Sequence, residues 1–102
     1  MNSVLEISNP LQGFEPMLQA PARLQVISIL AQVQEAEFVR LKDMTCTSDS
    51  VMSKHLSALA EAGFIALRKV ASGGRQRTWA SLTRAGRKTF DDHVAALRRI
   101  VG

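Results

Sequence analysis

Between Asp49 and Val70 the apolar positions change period. Met52, Leu56, Leu59 and Ala60 recur at helical spacing, while Asp49, Ser50, Ser53, Lys54 and Ser57 fall on the opposite side. This pattern predicts a helix over residues 48–62 with one apolar face and one short-chained, hydrogen-bonding, mildly basic face. Gly63 stands just past the last periodic residue, where a glycine commonly ends a helix. Phe64, Ile65, Leu67 and Val70 then follow as a strand-like run.

Upstream, Pro21 suits the first position of a helix running to about Val33. Leu24, Val26, Ile27, Ile29, Leu30 and Val33 leave that helix apolar over much of its circumference, so it is expected to be covered on two sides. Glu37, Phe38 and Val39 read as a very short strand or a helix start. Arg40 to Met44 read as helical, with Leu41 and Met44 pointing inward. Thr45 to Ser48 form a turn, and Thr47 or Ser48 can cap the next helix by accepting from its free amides. Downstream, the runs Ile65–Ala71 and Thr78–Leu82 flank Ser72, Gly73, Gly74, Arg75 and Gln76, which is a hairpin signal. Thr83 can cap a last helix, 83–101, along which Phe90, Val94, Leu97 and Val101 form an i, i+4, i+7, i+11 stripe. The expected fold class is mainly α with a small β-hairpin (α+β): an arm over residues 1–20 and one domain over 21–102. The arm carries Leu5, Ile7, Leu11, Phe14, Met17 and Leu18, too many apolar side chains for a free tail, and is expected to dock on the domain or on a partner subunit.

A chain of 102 residues has room for one modest core, so its terminal stripe invites a second copy. The dimer contact is expected to use Leu11, Phe14, Leu18, Phe90, Val94, Leu97 and Val101; packing of the stripe on its own domain is the alternative. No apolar run approaches membrane-spanning length and no signal-peptide layout is present, so a cytoplasmic protein is expected. The net charge of +4 is unevenly placed, being −3 up to Ser53 and +7 from Lys54 onward. Arg68, Lys69, Arg75, Arg77, Arg84, Arg87 and Lys88 occur in a stretch without an acid, which points to a polyanion partner.

Catalytic chemistry finds no support in the spacing. His55 has no second ligand or nucleophile near it in sequence, and Gly73–Gly74 lacks the Lys-Ser or Lys-Thr of a phosphate-binding loop. Asp91, Asp92 and His93 point in different directions on a helix and read as a solvated polar face; a dimer-completed metal site is the alternative. The lone Cys46 reads as a small core residue, with a redox-sensing thiol the alternative. No enzyme, cofactor or metal is expected.

The phrases FEPMLQAPARLQVISIL at 14–30, SVMSKHLSALAEAGFI at 50–65 and SLTRAGRKTF at 81–90 resemble those of the winged helix-turn-helix transcription regulators, in their compact MarR-like and ArsR-like single-domain forms. That resemblance spans nearly the whole chain. It implies a homodimeric, double-stranded-DNA-binding regulator, a repressor reading an inverted-repeat operator, with the helix 48–62 in the major groove and a basic wing over 68–82. By position it implies DNA contact by Ser48, Asp49, Ser50, Ser53, Lys54, His55 and Ser57 on the helix and by Arg68, Lys69, Arg75, Gln76 and Arg77 on the wing. Asp49 suits the helix dipole but repels phosphate, so capping is its other possible role. A small-molecule effector is compatible with such a chain. The competing reading is a protein-interaction winged helix with little sequence-specific DNA binding, in which the arm and terminal stripe are the working surface.

Overall fold

The computed structural model describes residues 11–102. A short 3-10 turn, Pro16–Leu18, leads into α1 (Pro21–Leu30), β1 (Ala36–Glu37), α2 (Phe38–Thr45), α3 (Asp49–Glu61), β2 (Ile65–Ser72), β3 (Arg75–Leu82) and α4 (Arg84–Val101). The strands form one antiparallel sheet in the order β1-β3-β2.

Local chemistry sets the boundaries. Pro21 opens α1, where its missing N–H is not needed. Ser48 caps α3 by accepting from the Val51 amide at 3.3 Å, and Thr83 caps α4 by accepting from the Gly86 amide at 2.9 Å. The core draws on every layer: Val26, Ile27 and Leu30 from α1, Leu41 from α2, Met52, Leu56 and Leu59 from α3, with Ala36, Ile65 and Ala80 from the sheet. Burying such apolar side chains contributes roughly 1.5–3 kcal/mol for each large one.

Several expectations require correction. Helix α1 ends at Leu30 rather than near Val33, which is 48% exposed. The chain there turns toward β1, and the Ala31 carbonyl accepts from the Arg87 guanidinium of α4 at 2.9 Å. Met44 is likewise 48% exposed. In the short helix α2 only Leu41 is buried, and Met44 lies on the rim of a surface groove. Cys46 is exposed rather than a core residue. It ends α2 in the left-handed conformation (φ 54°), a place that puts its side chain outside the packing. The hairpin is longer and tighter than the sequence suggested: strand pairing runs to Ser72 opposite Arg75, leaving only Gly73 and Gly74 as the turn. Both glycines have positive φ, 59° and 78°, which matches the twist of paired strands in a two-residue turn.

The arm takes the first of its two expected places, on its own domain, and the corrections there concern single residues. Residues 12–15 dock on the terminal helix of their own chain, and the turn Pro16–Leu18 packs on α1; Leu5 and Ile7 lie outside the described residues. Leu18, expected at a dimer contact, is 1% exposed within the protein's own core. Phe14 packs on the His93 ring with centroids 4.7 Å apart. His93, expected on a solvated face with Asp91 and Asp92, is 1% exposed, and its Nδ1 accepts from the Glu15 amide at 3.0 Å. Asp91 and Asp92 do remain exposed. Of the terminal stripe, Phe90, Val94 and Leu97 are half-buried and Val101 is exposed. The deeply buried positions of α4 are instead Gly86, His93 and Ala96, small or flat residues that allow close approach.

Candidate nucleic-acid interface

The turn between α2 and α3 presents the exposed side of α3. Ser48, Asp49, Ser50, Ser53, Lys54 and Ser57 are all exposed, opposite the buried Met52, Leu56 and Leu59. Apart from Val51 at 42% exposure, this surface is made of hydroxyls and charges. Such short polar groups can approach base edges and phosphates closely.

Asp49 neither caps α3 nor stands as a free negative charge. Ser48 makes the cap, and Asp49 Oδ1 pairs with Lys42 Nζ of α2 at 2.9 Å. The hydrogen bond to Asp49 and its charge hold the Lys42 ammonium above its ordinary pKa of 10.5. The pair is solvent-exposed, so its net contribution to stability is small. It sets a cation beside Asp49, so the start of α3 carries no unpaired negative charge.

His55 is placed differently from its neighbours. It is half-buried, and burial, then the charge of Arg23, lower its pKa from the ordinary 6.5. It lies beside α1 rather than on the hydroxyl-rich face.

The wing divides its residues between two faces, since alternate residues of a strand point to opposite sides. On the side of α3, Leu67, Lys69 and Thr78 share a groove of about 150 Å³ with Phe38, Ser53, Leu56 and Ser57. Lys69 thus stands across a shallow furrow from the α3 hydroxyls. On the outer side, Arg68 Nη2 donates to Glu35 Oε1 at 2.5 Å, and Arg77 Nη1 pairs with Glu37 Oε1 at 3.5 Å. Arg75 and Gln76 are exposed beside the hairpin tip. The structure therefore brings Ser53, Ser57 and Lys69 together, while Arg68 and Arg77 lie on the other side of the wing.

Sequence reasoning missed Lys42, Glu35, Glu37 and Trp79. The acid-free run Arg68–Lys88 gave no sign that two of its bases meet carboxylates from β1 and its approach, more than thirty residues upstream. A signal for Glu37 lay in its place in the very short strand, but only the three-stranded pairing reveals the partner. Among the described residues no group of three or more His, Cys, Asp or Glu could hold a metal ion. No helix among them is long and apolar enough to cross a membrane.

Three helices, a helix-turn-helix with an exposed polar helix, and a two-stranded wing flanking it define a winged helix. The chain belongs to the winged helix DNA-binding domain family, whose profile matches residues 22–101. An uncharacterized protein of Methanocaldococcus jannaschii is 29% identical over 72 residues, 71% of this chain and 78% of that protein. A transcriptional regulator homologue from Pyrococcus horikoshii has the same fold, with a TM-score of 0.78 and 21% identity, covering 99% of this chain and 95% of its own. The PcaV transcriptional regulator from Streptomyces coelicolor, solved in complex with its natural ligand, superposes with a TM-score of 0.73 at 16% identity, over 86% of this chain and 61% of its own.

Proposed function

We propose that this winged-helix DNA-binding protein is a homodimeric transcriptional repressor that reads an inverted-repeat operator by placing α3 in the major groove. The observation that carries the reading is the exposed face of Ser50, Ser53, Lys54 and Ser57, with Lys69 across the furrow between α3 and the wing. Hydroxyls and Lys54 supply base-edge and phosphate contacts; Lys69 and Arg75 supply charge on the flanking backbone. The two-fold partner is proposed to pack on α4, where Phe90, Val94 and Leu97 are half-buried and Ile100 and Val101 are 47% and 78% exposed. Two copies joined there would present their α3 helices to half-sites about one helical turn, roughly 34–36 Å, apart. A small-molecule effector of such a regulator would find a groove of about 370 Å³ lined by Ile29, Val33, Met44 and Trp79, with Glu35, Glu37 and Arg40 at its polar edge.

The test is selection of bound duplexes from a random pool, followed by salt titration of the enriched site. An inverted repeat is expected, with log affinity falling steeply against log salt. Lys54→Ala with Arg75→Ala is expected to weaken binding at least tenfold and to flatten the salt slope by about 2. Enrichment of no sequence by the folded protein would sink the reading in favour of a protein-interaction module.

A further inference from the structure

The outer face of the wing carries one connected row of side chains. Glu37 of β1 lies opposite Trp79 of β3, and Trp79 opposite Arg68 of β2. The Arg68 guanidinium sits 5.9 Å from the Trp79 ring centroid while both its Nε and Nη2 donate to the Glu35 carboxylate. Arg77, opposite Val70 on the same face, reaches back to Glu37. The carboxylates are the more sheltered partners, their side chains 33% and 23% exposed against 55% and 44% for the arginines. Among the described residues, Lys69 and Arg75 form no ion pair with an acid.

We infer that Glu35 and Glu37 are positioning residues of the DNA interface, holding Arg68 and Arg77 in ion pairs so that phosphate is met first by the two wing bases without a carboxylate partner, Lys69 on the α3 side and Arg75 at the tip of the outer face. The inference rests on the DNA-binding reading above. A guanidinium held by a carboxylate must exchange that partner for phosphate, and an exposed pair restrains it by a factor of about 1.5–5. Phosphate contacts carry no sequence information. Keeping two arginines off the backbone therefore lowers binding to any duplex while leaving the contacts of α3 to base edges intact. The carboxylates trade affinity for discrimination.

The experiment is a double-mutant cycle on duplex binding across a range of salt, using Glu35→Gln, Arg68→Ala and the double variant. Glu35→Gln is expected to tighten binding to random-sequence duplex roughly threefold and to steepen the salt slope by about 0.9, the value for one added phosphate contact. In the Arg68→Ala background the same substitution is expected to change neither. An equal gain in both backgrounds would reduce the effect to net charge and overturn the inference, as would weaker binding by Glu35→Gln, which would mean that the glutamate presents the arginine to DNA. The clamp is also read without DNA through the emission of Trp79, the only tryptophan in the chain. Both single variants are expected to change it, and unchanged emission in both would overturn the clamp. Failure of the unsubstituted protein to bind any duplex would remove the DNA reading and this inference together, whereas binding without the Glu35→Gln gain removes the inference alone.

Discussion

The helical head and the joint between arm and terminal helix are closed by different chemistry. In the head, α1, α2 and α3 bury Val26, Ile27, Leu30, Leu41, Met52, Leu56 and Leu59, an aliphatic set plus one thioether. In the joint, the arm meets α4 through an imidazole that accepts a backbone N–H, an aromatic contact, and hydrogen bonds to main chain: Glu15 to His93, Phe14 on His93, and the Arg99 guanidinium to the Gln12 carbonyl. Apolar burial is insensitive to pH and non-directional. A buried hydrogen bond to a titratable ring is neither, and leaving its donor unmet costs about 1–3 kcal/mol. The head is therefore expected to be the stable unit and the joint the part that opens first.

The largest effect should come from the weld between the two regions. A Cβ on Gly86 would lie 2.0 Å from the Phe64 carbonyl oxygen and 2.8 Å from Leu82 Cδ1, a clash with main chain that no side-chain adjustment relieves. Gly86→Ala is expected to cost roughly 4 kcal/mol or more, read as a fall in the thermal midpoint of well over 10 °C or as loss of the cooperative transition. Within the head, Leu59→Ala should cost about 2–5 kcal/mol by denaturant unfolding, since Leu59 is 0% exposed. A loss below about 1 kcal/mol would mean that the head is not the stable unit.

The joint is tested by pH. Burial lowers the His93 pKa below 6.5, against a smaller opposing effect of the Glu15 charge; Asp92, beside it in sequence, is paired with Lys88 at 2.8 Å. With the folded pKa depressed, the unfolded chain binds more protons between the two values. Stability from neutral His93 is thus fully present above about pH 6.5 and declines as pH falls toward and through the folded value. His55 shifts the same way, so the chain's two histidines act together. Denaturant unfolding at pH 7.5 and 5.5 should show the loss, and His93→Gln, which keeps an acceptor without titrating, should shrink it to the part left by His55. An equal pH dependence in that variant would assign the effect elsewhere. The smallest expected change is Ser48→Ala, about 1 kcal/mol for loss of the α3 cap, measured by thermal unfolding.

Much of the head was legible because its burial follows local period. Met52, Leu56 and Leu59 repeat at one helical face, and Ser48 and Thr83 stand where caps are needed, so α3, α4 and the order of elements could be read directly. The exposed face of α3 was legible for the same reason, as the complement of the buried one. The joint was not. His93 is buried by Phe14 and Glu15, nearly eighty positions away, and its neighbours Asp91 and Asp92 made that turn look solvated. The apolar stripe of α4 also drew attention from the neighbouring line through Gly86, His93 and Ala96, whose small or flat side chains let other segments come close. On the wing, composition revealed the bases but not that Arg68 and Arg77 turn outward to Glu35 and Glu37, because strand facing depends on a register that the tight turn sets.

That turn also makes the wing a ruler. With Gly73 and Gly74 as its whole connection and unbroken pairing from Ile65 opposite Leu82 to Ser72 opposite Arg75, the hairpin has a defined length of eight residues per strand, about 26 Å. Its base is anchored by buried Ile65, and the paired strands carry the tip out from the core. On a duplex whose turn rises about 34 Å, that reach is roughly three-quarters of a turn. Under the DNA-binding proposal, removing one cross-strand pair would draw Arg75 back by about 3 Å, around one base-pair rise, and so move the point at which the tip meets the backbone.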